Sequence, residues 1–159
     1  MADSALVPPQ ARVMDRIEAI IAASDAALAA AAPALAGELL DLGEAVLERW
    51  LKARGATATR QLSEGFRLLA LHRQGAKGEP SFNACRETCR ELVYHYNLVC
   101  HEPGHPDTAR RLRLAAMVAR HLALFVDGKI EVAGLGEFCC SSRPLRERDA
   151  APFSATLLE

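Results

Sequence analysis

Residues 107–126, DTARRLRLAAMVARHLALFV, are the segment of the sequence that is most informative about the fold. Leucine, alanine, valine and phenylalanine cover much of the circumference of a helix drawn through this stretch. Pro106, Asp107 and Thr108 make a favourable first turn, since the acidic residue complements the helix dipole. A helix that is apolar around much of its surface belongs at the centre of a helical domain. We therefore predict a central helix that stops at Asp127 and Gly128.

Four further helices are predicted on the N-terminal side of this central helix. In each of them apolar residues recur at spacings of three and four, which is typical of an amphipathic helix. Prolines and glycines interrupt this pattern and mark the ends of the predicted helices. The predicted helices run from Pro8 to Pro33, from Pro33 to Gly55, from Thr59 as N-cap to about Gln74, and from Ser81 or Asn83 to about Cys100.

The length and composition predict one soluble domain. The chain has 159 residues, of which 50% are hydrophobic and 25% are charged, and these values are ordinary for a globular protein. We predict a helical core over about residues 8–128 and a C-terminal arm over residues 129–159. In the arm, alternation of Ile130 and Val132 suggests a short strand. The predicted fold is all-α, a compact bundle of about five helices with an irregular C-terminal arm.

The charge balance and the N-terminal residues exclude several classes of protein. The net charge is -1, so no global field attracts nucleic acid or an anionic membrane. Arg110, Arg113 and Arg120 share one side of the central helix, and we interpret them as a solvated or ion-paired face. Neither a secretory signal nor a membrane-spanning run is present. We expect a cytoplasmic protein that binds neither membranes nor nucleic acid.

The segment Ser81–His105 holds three of the five cysteines and three of the five histidines. Helical spacing places Cys85, Cys89, Leu92, Tyr96 and Val99 on one face, where cysteine would act as a small hydrophobic core residue. A second interpretation treats the cysteines as metal ligands. Thiolate and imidazole together suit zinc or another thiophilic metal. The candidate ligands are Cys85, Cys89, Cys100, His101, His105, Cys139 and Cys140.

Other polar residues of the two C-terminal helices have less specific interpretations. Glu87, Glu91 and His95 lie opposite the cysteine stripe and predict a solvated face with local ion pairs. His121 follows Leu114 and Val118 at helical spacing and is predicted to point into or along the core. The vicinal Cys139 and Cys140 could also form a redox-responsive pair.

No nucleophile elbow, phosphate-binding loop or dinucleotide fingerprint occurs in the sequence. We therefore predict no catalytic residue and no organic cofactor. The sequence favours a non-enzymatic accessory or regulatory protein that acts through a protein partner or as a homo-oligomer. The alternative is a metal-binding or thiol-redox-sensing protein that uses the cysteine and histidine cluster.

Overall fold

A computed structural model describes residues 9–77 and 86–133 of the chain. These residues form helices and connecting loops, and no strand occurs among them. The helices are α1 (Pro9–Ala22), α2 (Asp25–Ala30), α3 (Ala32–Ala53), α4 (Arg67–Gly75), α5 (Arg86–His101) and α6 (Thr108–Ala133). They pack against one another in a compact bundle, which confirms the predicted all-α fold.

The central position of α6 is also confirmed. This helix packs against α1, α2, α3 and α5. Its inward face carries the fully buried residues Leu112, Ala116, Ala119, Leu122 and Val126. Three small or medium side chains among them let the neighbouring helices approach closely, so one long helix can serve as the common packing surface of the bundle.

The predicted first helix is divided in two. The side chain of Ser24 accepts a hydrogen bond from the backbone N–H of Ala27 at 3.2 Å and caps α2. A serine that caps a helix takes an extended backbone conformation, which cannot continue the preceding helix. The single helix predicted from Pro8 to Pro33 is therefore wrong, and α3 begins immediately afterwards at Ala32.

The segment 57–66 is a loop, so the predicted helix start at Thr59 is wrong. Glu64 and Gly65 have positive φ values of 54° and 84°, a left-handed conformation that cannot continue an α-helix. The side-chain oxygen of Gln74 accepts the Thr59 N–H at 2.8 Å, and Arg67 donates to the Thr59 carbonyl at 2.9 Å. Side chains of α4 thus replace the hydrogen bonds that a helix would have supplied.

The C-terminal end of α6 also differs from the prediction. The helix passes through Asp127 and Gly128, so the predicted stop there is wrong. Asp127 forms an ion pair with Arg49 of α3, and the ammonium group of Lys129 lies 5.1 Å from the ring centroid of the buried Trp50. These contacts with α3 stabilise the extra turns of helix.

The strand predicted from Ile130 and Val132 is wrong because both residues belong to α6. Ile130 packs, partly buried, against the core. The remainder of the predicted arm, residues 134–159, lies outside the described residues. Within the described ranges, no helix is both long and apolar enough to cross a membrane.

Candidate functional site

The predicted cysteine stripe is part of the core from Cys89 onwards, and Cys85 lies outside the described residues. Cys89 and Val99 are fully buried, and Leu92 is 1% exposed. Tyr96 is half-buried and places its ring edge-on to that of Phe66, with the centroids 5.7 Å apart. The structural interpretation of this face is confirmed for these residues.

The two described cysteines lie in different environments. Burial raises the pKa of the Cys89 thiol to about 12, so this thiol is protonated at neutral pH. Cys100 is exposed, and its side chain beside the hydroxyl of Tyr96 raises the pKa of that phenol. The two cysteines are eleven residues apart in α5, about 16 Å along the helix axis, too far for one metal ion to bind both.

The two loop-side histidines are near the junction of α5 and α6. His101 is exposed in the last turn of α5. His105 is half-buried in the connecting loop, and its Nδ1 accepts the backbone N–H of Asp107 at 3.0 Å. This bond orients the His105 ring and leaves its Nε2 as the other ring nitrogen that could bind a ligand.

Metal binding by the whole predicted set stays a prediction. In residues 9–77 and 86–133, no group of three or more histidine, cysteine, aspartate or glutamate side chains is placed to hold a metal ion. Three of the seven predicted ligands, Cys85, Cys139 and Cys140, lie outside the described residues. Cys89 is thus too far from Cys100 to share a metal ion with it. Metal binding by Cys85, Cys139 and Cys140 stays a prediction.

Two histidines have the opposite exposure to the one predicted for them. His95 is only 7% exposed, with its Nε2 at 3.6 Å from Glu91, so the solvated position predicted for it is wrong. His121 is exposed, with its ring centroid 6.2 Å from that of Phe125, so its predicted core position is wrong. α5 packs against α3, α4 and α6, and the exposure of a histidine depends on such contacts between helices.

An exposed stripe runs along the outer face of α6. Its positions follow one another at spacings of 4, 3, 4, 3, 4 and 3, the spacing of a coiled-coil contact face. Leu114, Met117 and Leu124 are 38%, 44% and 56% exposed. We call this stripe the α6 seam, and it consists of Arg110, Leu114, Met117, His121, Leu124, Gly128 and Glu131.

Two arginines next to the seam are bound within the chain. Arg113 donates to the carbonyl oxygen of Ile21 at 3.2 Å and pairs with Asp25 at 2.7 Å. Arg120 pairs with Glu18 at 3.3 Å. The predicted interpretation of this arginine group as ion-paired is confirmed for both residues. They hold α1 and α2 against α6.

Two buried polar residues were not singled out by the sequence pattern. His72 is 4% exposed and Lys129 is 2% exposed. His72 follows Leu68 and Leu69 at spacings of four and three, so the helical pattern contained a signal for its burial. Lys129 carried no such signal, because it lies beyond the predicted end of its helix.

The α6 seam is the described surface with the most regular binding geometry. Three large apolar side chains on it are open to solvent in a stripe as long as several helical turns. Comparison of the chain with protein-family models, with curated proteins and with solved structures finds no match. Function is therefore inferred from the spacing, exposure and charge of the seam.

Proposed function

We propose that the protein is a non-enzymatic, cytoplasmic accessory or regulatory protein that works as a homodimer joined through the α6 seam. The observation that supports this proposal is the exposure of Leu114, Met117 and Leu124 at coiled-coil spacing on one face of α6. Exposed apolar stripes rimmed by polar residues mark interaction surfaces. Covering the 38–56% of each side chain that is still exposed contributes about 0.6–1.7 kcal/mol.

The charges at the ends of the seam favour an antiparallel pair. Arg110 lies at the N-terminal end and Glu131 at the C-terminal end, and both are exposed. Parallel pairing would bring each of these residues against the same residue of the second copy, so that like charges repel. Antiparallel pairing instead brings Arg110 of each copy close to Glu131 of the other, next to the exposed Asp107.

The spacing of the seam also defines a register. Antiparallel helices alternate their two kinds of seam position across the interface. This arrangement places Leu114 opposite Leu124 of the second copy, and Met117 opposite His121. Arg110 then lies beside the small Gly128 of the second copy, where its side chain can reach Glu131 on the next turn. The resulting contact has a two-fold axis, as most homodimer contacts do.

The first test measures the mass of the full chain by analytical ultracentrifugation over a wide range of protein concentration. We expect a dimer. Leu124→Asp should weaken dimerisation by about a hundredfold or more, because each copy would bury an unpaired carboxylate. The matched control is Leu62→Asp, since Leu62 is also exposed, at 64%, but lies in the 57–66 loop.

The second test examines the orientation by disulfide formation. With Cys100, Cys85, Cys139 and Cys140 replaced by serine, the double variant Leu114→Cys, Leu124→Cys should form a covalent dimer on mild oxidation. The single variant Leu114→Cys should not, because the two copies of residue 114 lie about ten residues, or 15 Å, apart along the antiparallel pair.

Three outcomes would reject the proposal. A monomer at every concentration would exclude the dimer altogether. Equal weakening by Leu62→Asp and Leu124→Asp would show that the seam is not the contact. Efficient cross-linking by the single variant at position 114 would indicate parallel pairing and contradict the charge argument.

A further inference from the structure

A cavity of about 480 Å³ lies between the 57–66 loop, the C-terminal part of α4 and the first turns of α5. This volume is within the range of small-molecule sites, about 300–1,000 Å³. Among the residues that the structure describes, four cationic side chains line the cavity, together with one carboxylate, that of Glu64. The cations are Arg73, Lys77, Arg86 and Arg90. We call this the basic cavity, and these five residues give it a net charge of +3.

Hydrogen bonds orient two of the four cations. Arg73 donates to the hydroxyl of Ser63 at 3.1 Å, and Arg90 pairs with Glu64 at 2.9 Å. Among the residues that the structure describes, no carboxylate forms an ion pair with Arg73, Lys77 or Arg86. The cavity therefore concentrates positive charge that the described part of the chain compensates only at Arg90.

Two buried side chains line the cavity, one apolar and one polar. Leu69 is 8% exposed and His72 is 4% exposed, and both line the cavity. Burial, and to a lesser degree the charge of Arg86, lower the pKa of His72 to about 4. His72 is thus neutral at physiological pH and adds no charge to the cavity. The positive charge of Arg86 disfavours the protonated form of the ring.

The carbonyl groups at the end of α4 do not cancel this field. Arg54 donates to the carbonyl oxygens of Gly75 and Lys77 at 3.0 and 2.8 Å. A cation at the C-terminus of a helix offsets the negative end of the helix dipole. The first turn of α5, where the dipole is positive, faces the same cavity through Arg86.

We infer that the basic cavity binds a small molecule that carries two linked phosphate groups, between the cations at the end of α4 and those at the start of α5. Arginine and lysine bind phosphate through charge-assisted hydrogen bonds. The small volume of this half-open cavity favours a small anion over a nucleic-acid strand, as does the net charge of -1 on the whole chain. Free pyrophosphate and a nucleoside diphosphate share this chemistry.

The test titrates the full chain with inorganic pyrophosphate by isothermal calorimetry. We expect saturable binding at one site per chain. Arg86→Gln and Arg73→Gln should each lower the affinity about tenfold, which corresponds to one lost charge-assisted hydrogen bond. Glu64→Gln should raise the affinity several-fold, because Glu64 is the only carboxylate among the described residues that line the cavity. Arg12→Gln is the matched control, since Arg12 is exposed on α1 outside the cavity.

A second titration with ADP distinguishes the two sources of the phosphate groups. Tighter binding of ADP than of pyrophosphate indicates that the base and sugar also contact the buried side chains that line the cavity, and equal binding indicates a free polyphosphate. Either result supports the basic cavity. Absence of saturable binding, or equal losses in Arg86→Gln and Arg12→Gln, would overturn it.

An NMR titration of the His72 ring gives an independent readout. A bound anion offsets the field of Arg86, so saturating pyrophosphate should raise the pKa of His72, and an unchanged pKa would count against binding in this cavity. Binding in the basic cavity should not depend on the dimer, because no residue of the α6 seam is among those that line the cavity. Leu124→Asp should therefore bind pyrophosphate as the unmodified chain does. Loss of binding in Leu124→Asp would contradict this placement of the site.

Discussion

Gly43 occupies the point where three helices meet α3, and its replacement by alanine tests the packing of the bundle. A Cβ atom at this position would lie 2.9 Å from Leu92 Cδ2 of α5 and 3.1 Å from Leu68 Cδ1 of α4. Leu122 of α6 would be 4.0 Å away. The first two distances are shorter than ordinary carbon contacts of about 3.5–4.0 Å. Both methyl groups would therefore have to move.

The expected magnitude follows from two opposing effects. Alanine in place of glycine favours a helix by about 1 kcal/mol. Overpacking of a dense core costs about 1–3 kcal/mol, and here both leucines belong to the core, each being 1% exposed. We expect Gly43→Ala to destabilise the protein by about 0–2 kcal/mol.

The same helix supplies the matched control. A Cβ atom at Gly37 would have no atom within 4 Å, so Gly37→Ala should stabilise the protein by about 1 kcal/mol through helix propensity alone. The difference between the two variants isolates the packing cost and should be about 1–3 kcal/mol.

Urea unfolding followed by circular dichroism measures this difference. All chains should be compared at one protein concentration, since dimerisation adds to apparent stability. If Gly43→Ala proves as stable as Gly37→Ala, the close packing of α3 against α4 and α5 is refuted.

Three further predictions concern charged and reactive groups. The pKa of His72 falls from 6.5 to about 4 through burial and the charge of Arg86, so the unfolded chain takes up the proton first. The free energy of unfolding should therefore fall by about 3 kcal/mol as the pH falls from 6.5 towards 4, and this loss is absent above pH 6.5. Unfolding measured across this range should show a shallower pH dependence in His72→Gln. Iodoacetamide should label the exposed Cys100 in the native chain and leave Cys89 unlabelled until unfolding, and peptide mass spectrometry that finds both labelled at equal rates would contradict the burial of Cys89. Arg113→Ala should cost about 1–2 kcal/mol, because it removes the donor to the end of α1 and the partner of a carboxylate that is mostly exposed; an unchanged midpoint of urea unfolding would show that these bonds contribute nothing.

Amphipathic periodicity predicted the long helices because it is a local property of the chain. In α3, Leu35, Leu39, Val46 and Trp50 lie at helical spacing and are buried, and Leu42 on the same face is half-buried. The apolar residues recur with the period of the helix itself, so this face requires no knowledge of its neighbours. The same reasoning identified the buried cysteine stripe of α5.

Helix ends were predicted less well because contacts from distant residues determine them. Thr59 has the side chain of an N-cap, yet its backbone bonds to Gln74 and Arg67 of α4. Gly128 is a common helix stop, yet α6 continues past it, where Lys129 covers Trp50 of α3. In each case a tertiary contact outweighs a local preference.

The candidate surfaces depend on the same distinction. α6 is apolar around most of its circumference, so its sequence could not show which apolar residues face outward, and His121 was placed on the wrong side. The basic cavity combines Arg73 with Arg86 and Arg90 of the next helix, and no local spacing relates the two helices.

From the sequence alone we predicted an all-α bundle organised around residues 107–126, with Cys89 in its core. These features follow from periodicity and composition along the chain. The burial of His95, the exposure of apolar side chains on the α6 seam and the grouping of four cations around one cavity were visible only in the folded structure. Those properties depend on how the helices rotate and pack against one another. Packing is a property of a pair of helices, so the sequence of one helix alone does not show it.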